Sequence, residues 1–140
     1  MKSVDEGVAE ARNSWSQQFN CAESVLRGVC HAQGIELSDI AKKMATPFGG
    51  GIGRAEDVCG ALAGGVLAIG ANIGRTMPEQ DRLRSYNAAG ELHKKFLERF
   101  GSTSCKVLNN SDFKSPEHRV RCGGFVDECA RFAIDILRKK

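Results

Sequence analysis

Six cysteines carry most of the chemical potential of this 140-residue chain: Cys21, Cys30, Cys59, Cys105, Cys122 and Cys129. A thiol becomes a nucleophile or a metal ligand only as the thiolate, so its surroundings decide its chemistry. Cys59 stands in the most telling surroundings. Gly49, Gly50, Gly51 and Gly53 make a loop, Glu56 and Asp57 follow as helix-start signals, and an uninterrupted apolar run continues to residue 74. This order predicts a loop entering a buried helix with Cys59 in its first turn. Unpaired backbone N–H groups and the positive end of the helix dipole would there favour ionisation. One side of that helix is small: Gly60, Ala61, Gly64, Gly65, Ala68 and Ala71. Glycine within a helix costs roughly 1 kcal/mol relative to alanine, so several of them imply that another backbone comes close.

The other elements decide which thiols can join Cys59. Val4, Val8, Ala11 and Trp15 recur at helical spacing. Asn20 caps a second helix that Gly34 stops, with Cys21 on its apolar side and Cys30 opposite, beside Glu23 and Arg27. Cys21 is therefore expected inward and Cys30 outward. Ser38 caps a short helix ending before Pro47. A long helix is predicted over 79–100, entered through Pro78, with Tyr86, Ala89, Gly90, Phe96, Leu97 and Phe100 on its apolar side and His93 among them. Ser102 or Thr103 would cap a short helix holding Cys105, and 109–115 reads as a loop. From Pro116 to the end the pattern is amphipathic and turns Cys122 and Cys129 towards the core. The reading is an all-α, compact bundle of five to seven helices around a buried Gly/Ala-rich central helix, one domain over 1–140.

Composition narrows the function. A net charge of +3 with scattered Lys and Arg offers no electrostatic footprint for nucleic acid or a membrane surface. Residues 58–74 are uncharged, but a spanning helix needs about 20 predominantly apolar residues, and this run is shorter and rich in Gly and Ala. Asp5, Glu6, Glu10 and Arg12 interrupt any export signal, so a cytoplasmic protein is expected. In that compartment cysteines are more often metal-binding or redox-active than a disulfide framework.

The run Asn20, Cys21, Ala22, Glu23, Ser24, Val25, the glycine loop, and Cys59-Gly60-Ala61-Leu62-Ala63-Gly64 form an ordered pattern. Phe100-Gly101 with Cys105, and Cys122 followed by Val126, complete it. It resembles the C_GCAxxG_C_C family, small bacterial and archaeal proteins described as redox-active, from about Asn20 to Leu137. The resemblance implies Cys21, Cys59, Cys105 and Cys122 as the functional set and leaves Cys30 and Cys129 outside it.

Three chemistries compete for these four thiols. The first is reversible thiol–disulfide chemistry or electron transfer of an oxidoreductase-like kind, with Cys59 attacking and Cys21, Cys105 or Cys122 resolving. A redox protein or a small thiol would then be the partner. The second is zinc or an iron–sulfur cluster on Cys21, Cys59, Cys105 and Cys122, although no C-x-x-C pair occurs. In the third the cysteines only pack as small hydrophobes, in a non-catalytic interaction module or homo-oligomer. His93 reads as a hydrogen-bonded core histidine, and His31 and His118 as surface residues. Neither C-x-x-C-H nor Glu-x-x-His is present, which disfavours c-type haem and a ferritin-like di-iron site. The glycine loop could cradle an anion, but it lacks the Lys-Ser/Thr of a P-loop.

Overall fold

The computed structural model describes residues 1–139. These form seven α-helices: α1 (Val4–Ser16), α2 (Cys21–Gln33), α3 (Asp39–Ala45), α4 (Gly60–Ile73), α5 (Leu83–Phe100), α6 (Cys105–Leu108) and α7 (Pro116–Arg138), with a 3₁₀ turn at Thr46–Phe48 between α3 and the glycine loop. No strand occurs among the described residues, where pairing is limited to one isolated bridge between Val58 and Ser104. Local signals set the helix starts. Ser3 with Glu6, and Asn20 with Glu23, form reciprocal capping boxes for α1 and α2. Gly34 ends α2 in the left-handed conformation with φ 73°. The expected last helix begins at Pro116 as read, and its final residue, Lys140, lies outside the described residues.

The centre of the bundle is a crossing of two helices. α4 packs on α2, α5 and α7, while α2 also meets α1, α3 and α7. Small residues make the crossing this close. A Cβ built on Gly64 would overlap the Ala22 carbonyl oxygen and lie 2.9 Å from Ala22 Cα; one on Gly60 would overlap Cys21 Sγ. The first half of α4, from Gly60 to Gly65, is buried, while Val66, Gly70 and Ala71 face outward.

Two expectations are corrected. Cys30 points inward and is 0% exposed. Its helix is covered on nearly every side, so the charged neighbours Glu23 and Arg27 did not mark a solvent face. α5 starts at Leu83 rather than residue 79, because 75–80 form a turn of their own. The Gln80 side chain accepts from the Thr76 and Met77 amides, and Arg75 donates to the Pro78 carbonyl. The buried stripe of α5 is Ala88, Leu92 and Phe96, while Tyr86, Gly90, Leu97 and His93 are exposed. Leu92 fills the space above Gly65, where a Cβ would sit 2.7 Å from its Cδ2. That seat on α4 sets the rotation of the helix and leaves His93 on the surface instead of in the core.

Alanine substitutions test the central crossing. Gly64→Ala should destabilise the protein by about 1–3 kcal/mol, the range for overpacking. Gly70→Ala lies on the outer face with nothing within 4 Å of its Cβ, and should stabilise by up to about 1 kcal/mol. Urea unfolding midpoints of the two variants should move in opposite directions. Equal midpoints would show that the backbone approach is not a constraint.

Candidate functional site

Three of the four cysteines of the motif sit where helices begin. Cys21 is the first residue of α2, Cys59 the N-cap of α4, and Cys105 the first residue of α6; Cys122 lies in the second turn of α7. Backbone pairing ties the entrances of α4 and α6 together. The Cys59 amide donates to Thr103 O at 2.7 Å, and the Cys105 and Lys106 amides donate to Asp57 O and Glu56 O at 2.5 and 3.1 Å. Ser104, not Ser102 or Thr103, caps α6, and its amide is itself received by the Ser102 hydroxyl.

An open cleft of about 260 Å³ reaches this junction, and Cys21, Cys105, Cys122, Gly50, His118 and Trp15 are among its lining residues. Cys21 is the one cysteine that is not fully buried. Cys59 lies beneath the cleft, 5% exposed, and does not line it. Electrostatic coupling shows how tightly the four are gathered: Cys59 and Cys122 each feel Cys21, Cys21 feels Cys105, and Cys122 feels both. Cys129 hangs below, its thiol donating to Ala61 O at 3.1 Å. Cys30 is perturbed by burial alone and stands apart.

Burial dominates the ionisation of these thiols. It pushes Cys59 up to about 12, with the neighbouring Cys21 adding to the rise, against the opposing N–H groups of Leu62 and Ala61. The helix start therefore does not lower this thiol, because desolvation outweighs the dipole. Burial, then Cys21 and Cys105, likewise hold Cys122 at about 12. At Cys21 burial again raises the value, while the backbone N–H groups of Ala22, Cys21 and Gly50 converge on the sulfur and pull the other way.

Asn109, 1% exposed, connects two of the thiols. Its Nδ2 donates to Cys105 O at 3.0 Å and lies 3.8 Å from Cys105 Sγ, and its Oδ1 sits 3.7 Å from Cys122 Sγ. Arg121 Nε donates to the same Oδ1 at 2.9 Å, which sets the amide's orientation. His118 Nδ1 is 3.0 Å from Oδ1 and 3.7 Å from Cys122 Sγ; an oxygen there makes Nδ1 the protonated nitrogen. Burial, then Arg121, lowers the pKa of His118. The loop 109–115, present as expected, and the half-buried His118 are thus part of the candidate site. Their spacing was a usable signal: Asn109 is one helical turn after Cys105, and His118 one turn before Cys122.

Strain is confined to the rim. Among the described residues the non-glycine positions with positive φ are Gln18 (77°), Ile52 (67°), Arg54 (66°), Glu56 (62°), Asn110 (48°) and Ser111 (59°). All lie in the three loops around the cleft. Each left-handed residue costs about 1–2 kcal/mol, which the loop 50–57 offsets through its own ladder. The amides of Arg54, Glu56 and Asp57 donate to Gly49, Gly50 and Gly51 O at 3.2, 3.0 and 3.0 Å. Those three amides are spent within the loop, and the Gly50 N–H is turned to the Cys21 sulfur. Gly51 instead allows the loop to lie on α6, where a Cβ would come 2.8 Å from Cys105 Cβ.

Among the described residues no three His, Cys, Asp or Glu side chains are arranged to hold a metal ion. No helix among them is long and apolar enough to cross a membrane.

A helical bundle that collects thiols from separate helix starts under one cleft matches a known class. Residues 19–136 match a family described as "Putative redox-active protein (C_GCAxxG_C_C)". The chain belongs to the C_GCAxxG_C_C family. It is also 30% identical over 147 aligned positions to an uncharacterized protein of Archaeoglobus fulgidus, covering 99% of this chain and 97% of that one. No solved structure matches.

The raised thiols give stability a pH dependence. Cys59 and Cys122 hold their protons to about 12 and Cys30 to about 11, against an ordinary 9.0 when unfolded. The unfolded chain therefore binds fewer protons than the folded one above pH 9, so stability falls as pH rises from 9 towards 12 and is intact below. In reduced Cys30→Ala, the decline between pH 9 and 11 should be shallower by up to about 1.4 kcal/mol per pH unit. Urea unfolding across that window measures the slope; an unchanged slope means that Cys30 ionises as readily folded as unfolded.

Proposed function

We propose that this protein performs reversible dithiol–disulfide exchange with Cys21 as the entry thiol and Cys59, Cys105 or Cys122 as the resolving partner. The observation that carries this reading is that Cys21, Cys105 and Cys122, from three helices, line one open cleft with Cys59 beneath it, Cys21 being the most exposed of them. Cys59 is better suited to resolve than to attack an incoming molecule, because it lies beneath the cleft with its proton held tightly.

The exchange balances as follows. The Cys21 thiolate attacks one sulfur of an external disulfide, forming a mixed disulfide and expelling one thiolate. A second protein thiol loses its proton to solvent and attacks Cys21 Sγ, expelling the second thiolate. Two protein thiols are oxidised to a bridge and the external disulfide is reduced to two thiols. A dithiol reductant reverses the sequence. The three N–H groups around Cys21 support its thiolate at the moment of attack, and the low local polarity around Cys59 keeps the resting dithiol protonated.

Brief oxidation with a small disulfide followed by peptide mapping should yield one bridge that contains Cys21, reversed by dithiothreitol. Cys21→Ser should lose at least about tenfold of the oxidation rate, since only buried thiols would remain. Cys30→Ala and Cys129→Ala should oxidise as the parent does. A bridge that forms at undiminished rate in Cys21→Ser would overturn the assignment.

A further inference from the structure

Beside the thiol cleft lies a second, larger cavity of about 650 Å³, lined by Arg54, Lys114, Glu56, Asp112, Phe113 and His118, among others. It shares Gly50, Phe113 and His118 with the cleft, so the two adjoin. Its charges are unequally satisfied. Asp112 is already engaged: Ser115 donates to it and Arg121 pairs with it at 3.4 Å, which holds its carboxyl below the usual range. Arg54 and Lys114 have no ion pair among the described residues. Arg119 lines the cleft and not this cavity, stacked over Trp15 at 4.2 Å. Of the two carboxylates that line the cavity Glu56 is the one without an ion pair among the described residues, and it adds to the rise that burial causes at Cys105.

Arg54 is placed there at a cost. It takes φ 66°, a conformation that favours glycine or asparagine, and it folds against Gly50, where any Cβ would sit 2.9 Å from Arg54 Cα. A strained, unpaired cation at the rim of a thiol site is a candidate ligand contact.

We infer that the cavity selects a low-molecular-mass disulfide bearing carboxylates, seating a carboxylate between Arg54 and Lys114 while the disulfide reaches Cys21. This rests on the dithiol reading above and names its substrate class. The recess argues for a small molecule over a protein disulfide: Cys105 and Cys122 are buried beneath the rim, and Arg54 and Lys114 stand exposed at its mouth.

The test uses three small disulfides that differ in charge: dithiodipropionate, bis-hydroxyethyl disulfide and cystamine. Oxidation of the fully reduced protein is followed by acid quench and intact mass. Each rate is normalised to that of the same disulfide with dithiothreitol. The anionic probe should react about tenfold faster than the neutral one, the scale of two exposed ion pairs, and the cationic probe more slowly than either. About 1 M salt, with a Debye length near 3 Å, should shrink the preference. The double variant Arg54→Asn, Lys114→Gln should bring the anionic-to-neutral ratio close to one while keeping the neutral rate, which also reports an intact fold. A ratio near one in the parent, or a preference that survives in the double variant, overturns the inference and leaves the dithiol reading standing. Oxidation by none of the three probes removes both.

Discussion

The backbone contact between α4 and the first turn of α2 is the constraint on which the site depends. Gly64 against Ala22 and Gly60 against Cys21 leave no room for a methyl group. At this separation the sulfur of Cys21 rests on the residue that follows Cys59. Two helix starts that would ordinarily stand a side chain apart are brought within electrostatic reach. The glycine cost inside α4, roughly 1 kcal/mol each, is therefore spent on geometry. Everything else at the site is arranged around that point: the glycine loop curls over it, α6 is tied to it through Asp57 and Glu56, and Asn109 links α6 to α7.

Much of the fold was legible because its signals are local. Caps at Asn20 and Ser38, the stop at Gly34 and the start at Pro116 are each decided within one helical turn. The small face of α4 announced a close partner, and the order of cysteines announced the family. What failed depended on neighbours distant in sequence. The rotation of α5 is set by Leu92 seating on Gly65, which no wheel drawn on α5 alone can reveal. Cys30 is buried because α2 is enclosed by several helices, a fact about the bundle and not about the helix. The turn held by Gln80 consumed residues that looked like the start of a helix.

The site itself was half legible. Cys21, Cys59, Cys105 and Cys122 do gather, yet the division among them reversed the simplest argument. A helix start favours a thiolate, but at Cys59 and Cys21 alike removal from water is the larger effect, with backbone N–H groups opposing it. Asn109 and His118 were signalled only by their one-turn spacing to Cys105 and Cys122, because polar residues near a loop otherwise read as solvent-facing. Their role emerges only when α7 is in place and the amide of Asn109 is seen between two sulfurs.

The cysteines that line the cleft come from the second, sixth and seventh helices, with Cys59 at the start of the fourth beneath them. Such a site has no local precursor. A growing chain that has made α2 and α4 holds Cys21 and Cys59 without the walls that shield them, and the arrangement is completed only when α7 docks. Its assembly therefore rests on contacts between elements far apart in the chain.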